Sequence, residues 1–443
     1  MFLAGLTTYA VISIFVLVIV YFFLITEKLP KALVAVLGGV TLIMMQVFKS
    51  AEGSSQDNAF EFISHNLDIL GFVIGMMVLV GIVRESGVFE AAAIGLVKVV
   101  KGKPTHLVVA LGYLTLFMTA FFSNIPTVLI LAPVVLVLIK ELKLPALPFL
   151  FTIVTMANLG GAMTPISDPT TYYQAKTVGL TFMEVLQNSG LIVMILSVVS
   201  LIYILFVFRN DLNKAHVKAS DVALFKPLKA IQNRYIMKVG VPLVVISILL
   251  MVLKERIAAL TGITLDNATI TIGASFLSIL IFHKEPREVF RNLIDWEIIF
   301  FFMGLFVVVG ALEFTHVITL LAEGLIEATG GNLTALLFLI SLGSGFLSTF
   351  IDNVPYNITM VGAIQAMEAS GIWVYPLWWA LNLGTSIGGF GSPIAAACNV
   401  IAFGQAEKEK IHINFMKYLL LAMPLVVINS LITFGILWLK YLA

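Results

Sequence analysis

The sequence predicts an all-α polytopic membrane protein made of two inverted repeats, each with five transmembrane crossings, a re-entrant helical hairpin and broken helices. Three observations carry this prediction. The 443 residues are 60% hydrophobic and 12% charged, about half the charge of an ordinary globular chain. Eight simple apolar runs reach spanning length, and four longer ones are interrupted by polar Gly, Pro, Ser and Asn. The two halves also resemble each other in chain order.

Taken in order, the first run, Leu6 to Ile25, lacks a basic segment before it and a cleavage site after it, so it reads as a retained helix. Further simple spans lie near Pro30–Phe48, Leu67–Val83, Asn188–Phe208, Tyr235–Leu253, Thr269–Phe282, Glu297–Leu312 and Phe415–Leu439. The interrupted segments are Thr105–Ile139, Pro145–Thr177, Leu333–Met367 and Trp373–Gly404. Their breaks read Ser123-Asn124-Ile125-Pro126-Thr127, Thr164-Pro165-Ile166-Ser167-Asp168-Pro169-Thr170-Thr171, Asp352-Asn353-Val354-Pro355 and Gly388-Gly389-Phe390-Gly391-Ser392-Pro393. Unpaired backbone groups cost several kcal/mol each in hydrocarbon, so such breaks mark a protein-lined or watery interior.

Asp68 to Val80 resembles Glu297 to Val309 at an offset of 229, and Ser123-Asn124-Ile125-Pro126 meets Asp352-Asn353-Val354-Pro355 at the same offset. Asn158-Leu159-Gly160 then matches Asn382-Leu383-Gly384, and Asp168-Pro169 matches Ser392-Pro393, at 224. Several matches in one order argue for duplication. The expected organisation is residues 1–208 as the first repeat, 209–234 as a polar cytoplasmic linker and 235–443 as the second repeat. Ala91–Val100 and Ile318–Ala328 read as interfacial helices or ordinary loop helices.

With each Asn-x-Pro at the tip of a hairpin, each half crosses the membrane five times, and the odd count inverts the second half. Both termini are then outside the inner (cytoplasmic) membrane. All but five of the 26 lysines and arginines (Lys49, Lys176, Lys254, Arg256 and Lys440) fall on the inner side, as the positive-inside rule requires. A formal net charge of +1 gives no basis for gripping nucleic acid. One cysteine, Cys398, excludes an intrachain disulfide and any Cys-based metal cluster, and reads as structural. No cofactor is implied, and no nucleotide-binding or hydrolytic motif is present, so any pumping must draw on an ion gradient.

The breaks supply the candidate site. Pro169 and Pro393 each follow a short polar residue, the pattern of an N-cap before proline at the first helical position, so each opens a half-helix whose N–H groups suit anions or neutral oxygens. Asp168 and Asp352 are the carboxylates the topology buries near mid-membrane, where either could take up a proton; the alternative is that they only cap helix starts. Asn124 and Asn353, at the hairpin tips, both donate and accept and are candidate substrate ligands. Ser123, Thr127, Thr164, Ser167, Thr170 and Ser392 are further candidates, although such hydroxyls often bond their own backbone.

Taken together, Asn158-Leu159-Gly160-Gly161-Ala162 through Thr171, the tip Ile351-Asp352-Asn353-Val354-Pro355, and Gly391-Ser392-Pro393 through Lys408 resemble the ArsB/NhaD-type permeases of the ion transporter superfamily, which include P-protein-like relatives. The resemblance implies a secondary transporter working by alternating access on a small inorganic solute with protons or Na+, in a lipid bilayer and often as a homodimer. Within it, Ser123 stands where sodium/proton antiporters tend to carry an acid. The expected activity is therefore proton-coupled export of arsenite or antimonite. The alternatives are Na+/H+ antiport and uptake of a citrate-like carboxylate, against which the acid at Asp352 counts.

Overall fold

In a computed structural model, which describes residues 7–26, 28–50, 53–215, 217, 222 and 226–443, the ordered elements are helices. Part of the expected linker, Lys218 included, lies outside the described residues. Nine principal helices make up the first half: α1 (Thr8–Thr26), α2 (Lys31–Met44), α3 (Leu67–Arg84), α4 (Val88–Val99), α5 (Pro104–Phe122), α6 (Asn124–Glu141), α7 (Ala146–Gly161), α8 (Pro169–Val178) and α9 (Leu191–Val207). Nine more make up the second: α10 (Arg234–Thr261), α11 (Asn267–Ile281), α12 (Trp296–Phe314), α13 (Val317–Thr329), α14 (Leu333–Leu347), α15 (Asn353–Ala369), α16 (Tyr375–Gly389), α17 (Ala397–Lys408) and α18 (Phe415–Tyr441). Short helices at Ser55–Ser64, Phe182–Val185, Arg209–Lys214, Pro227–Ala230 and Pro286–Asn292 connect them, with a π-turn at Leu186–Gly190 leading into α9.

Eight spans among the described residues are long and apolar enough to cross a bilayer, and the chain is a multi-span membrane protein. The expected spans at Pro30–Phe48 and Thr269–Phe282 are shorter as helices, 14 residues in α2 and 15 in α11. At 1.5 Å per residue each is roughly 21–23 Å long. Each packs along a longer partner, α2 on α12 and α11 on α3, so protein covers these shorter helices on one side. Between α13 and α14 the chain bends by 118°.

Packing in one half has its counterpart in the other. α5 lies on α7 as α14 lies on α16; α6 meets α17 as α15 meets α8; α1 touches α12 as α10 touches α3. Two groups result. α1, α2 and α3 pack with α10, α11 and α12, while α5 to α9 pack with α14 to α18, and α4 and α13 lie against the hairpin helices α6 and α15. The second group holds the largest fully buried side chains near the breaks, including Trp378, Trp379, Phe149, Phe151 and Tyr418.

Both breaks are seven residues long, 162–168 between α7 and α8 and 390–396 between α16 and α17. Matching bonds hold them. Thr164 Oγ1 donates to the Ala120 carbonyl at 2.5 Å and Ser392 Oγ to that of Thr349 at 2.6 Å. The Asn124 N–H donates to the Ser167 carbonyl and the Asn353 N–H to that of Ala395, both at 3.2 Å. These bonds pair Thr164 with Ser392 and Asp168 with Ala396, an offset of 228, so the register of 224 read from the sequence is corrected by four residues. The motif that repeats is Gly-Gly-x-x-Thr/Ser-Pro-Ile, not Asp-Pro against Ser-Pro.

Candidate functional site

Four helices begin at one place. The first turns of α6, α8, α15 and α17 supply Asn124 and Ile125, Pro169, Asn353 and Val354, and Ala397 to the wall of one cavity of about 450 Å3. Each such turn presents the positive end of its helix dipole, and its first N–H groups seek partners outside the helix, as those of Asn124 and Asn353 do on the Ser167 and Ala395 carbonyls. Two turns are capped by acids. Asp168 Oδ1 accepts from the Thr170 N–H at 2.8 Å and from Thr170 Oγ1 at 2.5 Å, and Asp352 Oδ1 accepts from the Val354 N–H at 3.1 Å. The other two, at α6 and α17, have no side-chain cap, because Ser123 and Ala396 precede them without a capping bond.

The two carboxylates have different partners. Asp168, 3% exposed, accepts through Oδ2 from the Asn124 amide. Asp352 Oδ2 accepts from Lys31 Nζ at 2.6 Å, an ion pair whose side chains are 5% and 19% exposed. Lys31 is the first residue of α2, and Lys28 lines the same cavity, as do Asp295 and Glu297 at the start of α12.

The structure thus brings Asn124, Asn353, Asp168 and Asp352 together around one space. The hydroxyl candidates stand behind the wall. Thr164 and Ser392 hold carbonyls of the hairpins, Ser167 Oγ donates to Gly161 and Thr164 carbonyls, and Thr170 serves Asp168. Ser123 shapes the tip at φ 68, and Thr127 Oγ1 is buried without a hydrogen-bond partner among the described residues. Asn158 and Asn382 stitch the halves together: Asn158 donates to Asn399 Oδ1 at 2.9 Å, and Thr171 Oγ1 donates to Asn382 Oδ1 at 2.8 Å. Cys398 is buried beside the first of these pairs.

A second, smaller cavity of about 290 Å3 is lined by Asp68, Tyr172, Lys176, Asp266 and Asn267. An ion pair joins Lys176 Nζ to Asp68 at 2.5 Å, and Phe72 stacks on Tyr172 with centroids 4.3 Å apart. Its helices, α3, α8, α10 and α11, are the counterparts of α12, α17, α1 and α2, of which α12, α17 and α2 line the first cavity.

The family described as CitMHS, citrate transporter, matches residues 21–384. The chain belongs to the CitMHS family. Over 438 residues it is 29% identical to an uncharacterized transporter of Mycobacterium bovis, covering 98% of this chain and 99% of that protein. It is 30% identical over 446 residues to a 46 kDa membrane protein of Mycobacterium leprae, with the same coverage. The P protein of Homo sapiens is 24% identical over 497 residues, covering 95% of this chain and 59% of that protein. CitMHS membership makes the chain a membrane transporter rather than an enzyme, within the superfamily that the motifs resembled.

Sequence reasoning missed Lys31 and Lys28, which count by composition only as inner-side charges, and Asn399, whose amide donates to the Gly389 and Ser392 carbonyls at 2.6 and 2.8 Å. One signal for Lys31 was present. A lysine at the first position of a helix opposes the dipole, so its placement asks for an anion nearby.

Proposed function

We propose that this CitMHS member is a proton-coupled secondary transporter of a small citrate-like carboxylate, working by alternating access between two inverted halves. The observation that carries the reading is the meeting of four helix N-termini, two of them uncapped, with a lysine in one cavity. Such an arrangement suits carboxylate oxygens. The case against an anion rested on an unneutralised acid at Asp352, and Lys31 neutralises it. Asp168 remains the one acid at the tips without a cation partner among the described residues, so a proton there would admit the anion and couple the two fluxes. Asn353 and the first turns of α6 and α17, which no side chain caps, are the proposed ligands. A cavity of about 450 Å3 is also the size of an organic-solute site and far exceeds a bare sodium ion or an arsenite molecule.

In this reading Lys28 and Glu297 face the cytoplasm. The main cavity is then the inward-open path, and the smaller one, crossed by Asp68–Lys176, is the closed outer path. Proteoliposomes under an imposed pH gradient test the reading, with citrate, arsenite and sodium offered in parallel. Citrate accumulation driven by the gradient and abolished by Asn353→Ala is expected. Gradient-driven movement of arsenite or sodium with none of citrate would transfer the assignment to the exporter or the antiporter.

A further inference from the structure

Asn124 and Asp168 stand side by side on the wall of the main cavity. The Asn124 Nδ2 donates to Asp168 Oδ2, and its Oδ1 is buried with no hydrogen-bond partner among the described residues. Thr170 occupies the other carboxylate oxygen twice, through its N–H and its hydroxyl. Oδ2 is therefore where an added proton would reside.

An ionised carboxylate only accepts, which dictates that Asn124 turn its NH2 toward Asp168 and its oxygen away. A carboxyl bearing a proton on Oδ2 donates, and the amide that satisfies it is the reverse one, with Asn124 Oδ1 accepting. We infer that Asn124 transmits the protonation of Asp168 to the substrate: the amide turns over when the proton arrives, exchanging its buried acceptor for two N–H donors on a residue of the cavity wall, whose hydrogen bonds a bound carboxylate completes. The turn also gives the orphaned oxygen a donor, removing a cost that the ionised state carries. Atoms balance, since the proton stays on Asp168 and only hydrogen bonds are exchanged. This inference rests on the carboxylate reading above.

The second half lacks the device. Asn353 occupies the equivalent tip, but Ala396 stands where Asp168 does, so the Asn353 amide has no acid to follow and remains a fixed ligand. The other titratable groups facing Asp168 come from several elements. They are Asp352 with Lys31, Lys28 before α2, Asp295 and Glu297 at α12, and Cys398 on α17; among the described residues no side chain of these hydrogen-bonds the Asp168 carboxylate.

Citrate binding to the purified full-length protein, measured by calorimetry from mildly acid to mildly alkaline pH, tests the inference. Wild type should bind more tightly as pH falls, by up to about tenfold per pH unit where one proton accompanies one anion. Asp168→Asn presents a permanent donor to Asn124 Oδ1 while still accepting from Thr170, and should bind at the wild-type acid affinity across the range. Asn124→Ala, checked for folding by its thermal transition, should lose most of the tightening on acidification; Asn124→Ser serves the same purpose if the alanine variant does not fold. Full wild-type pH dependence in these tip variants, or loss of binding at every pH in a folded Asp168→Asn, would overturn the inference while leaving the carboxylate reading intact. Absence of citrate binding by the wild type at any pH would remove that reading itself.

Discussion

Lys31 and Asp352 lie 321 positions apart in the chain and form the most buried ion pair among the described residues. A buried pair contributes little net stability, because desolvation offsets the attraction, yet removing one partner strands the other charge. Lys31→Met should therefore cost up to about 3 kcal/mol, the low end for breaking a buried pair, since the cavity lets water reach the carboxylate. The double variant Lys31→Met with Asp352→Asn should recover part of that loss. Thermal unfolding of the four proteins forms the cycle, and strictly additive losses would mean the two charges do not act as a unit. The tips and Asp168 were legible because polar residues beside proline inside an apolar run have few other uses. Lys31 was not, since nothing in a single sequence says that the start of α2 meets a hairpin tip, and a lysine flanking a span is ordinarily a topology signal.

Hairpin tips set what each element can present. At the first, Ser123 has φ 68 and ψ 157, a region close to glycine-only that costs a non-glycine residue about 1–3 kcal/mol. Its hydroxyl is not on the cavity wall. Ser123→Gly should then raise thermal stability and leave transport intact; a folded glycine variant without flux would make the hydroxyl a ligand after all. Glycine also explains how closely the hairpins approach the breaks. A Cβ at Gly160 would come within 2.7 Å of the Leu116 carbonyl, and one at Gly388 within 2.7 Å of the Gly345 carbonyl. That symmetric pair shows why the register was misread. Asparagines 158 and 382 matched by identity, but what the fold repeats is the glycine contact and the hydroxyl on the hairpin carbonyl, which Thr164 and Ser392 supply with different side chains.

For the whole molecule, the reading depends on the halves running in opposite directions, because one cavity can open alternately to each side only if its two walls are built from inverted copies. Charge asymmetry and the paired contacts of α2 with α12 and α3 with α11 support this arrangement. Equivalent surface positions make it measurable. Lys98 on α4 and Glu327 on α13 are both exposed and differ by the repeat offset of 229. In a Cys398→Ala background, cysteine at 98 should react with an impermeant maleimide only from the cytoplasmic side, and cysteine at 327 only from outside. Thr8→Cys and Asn210→Cys, also exposed, calibrate the two sides, the first reacting from outside and the second from within. Labelling of 98 and 327 from one side would make the halves parallel. The Asp68–Lys176 cavity could not then be the outer path, and the coupling assigned to Asp168 would need another route for its anion.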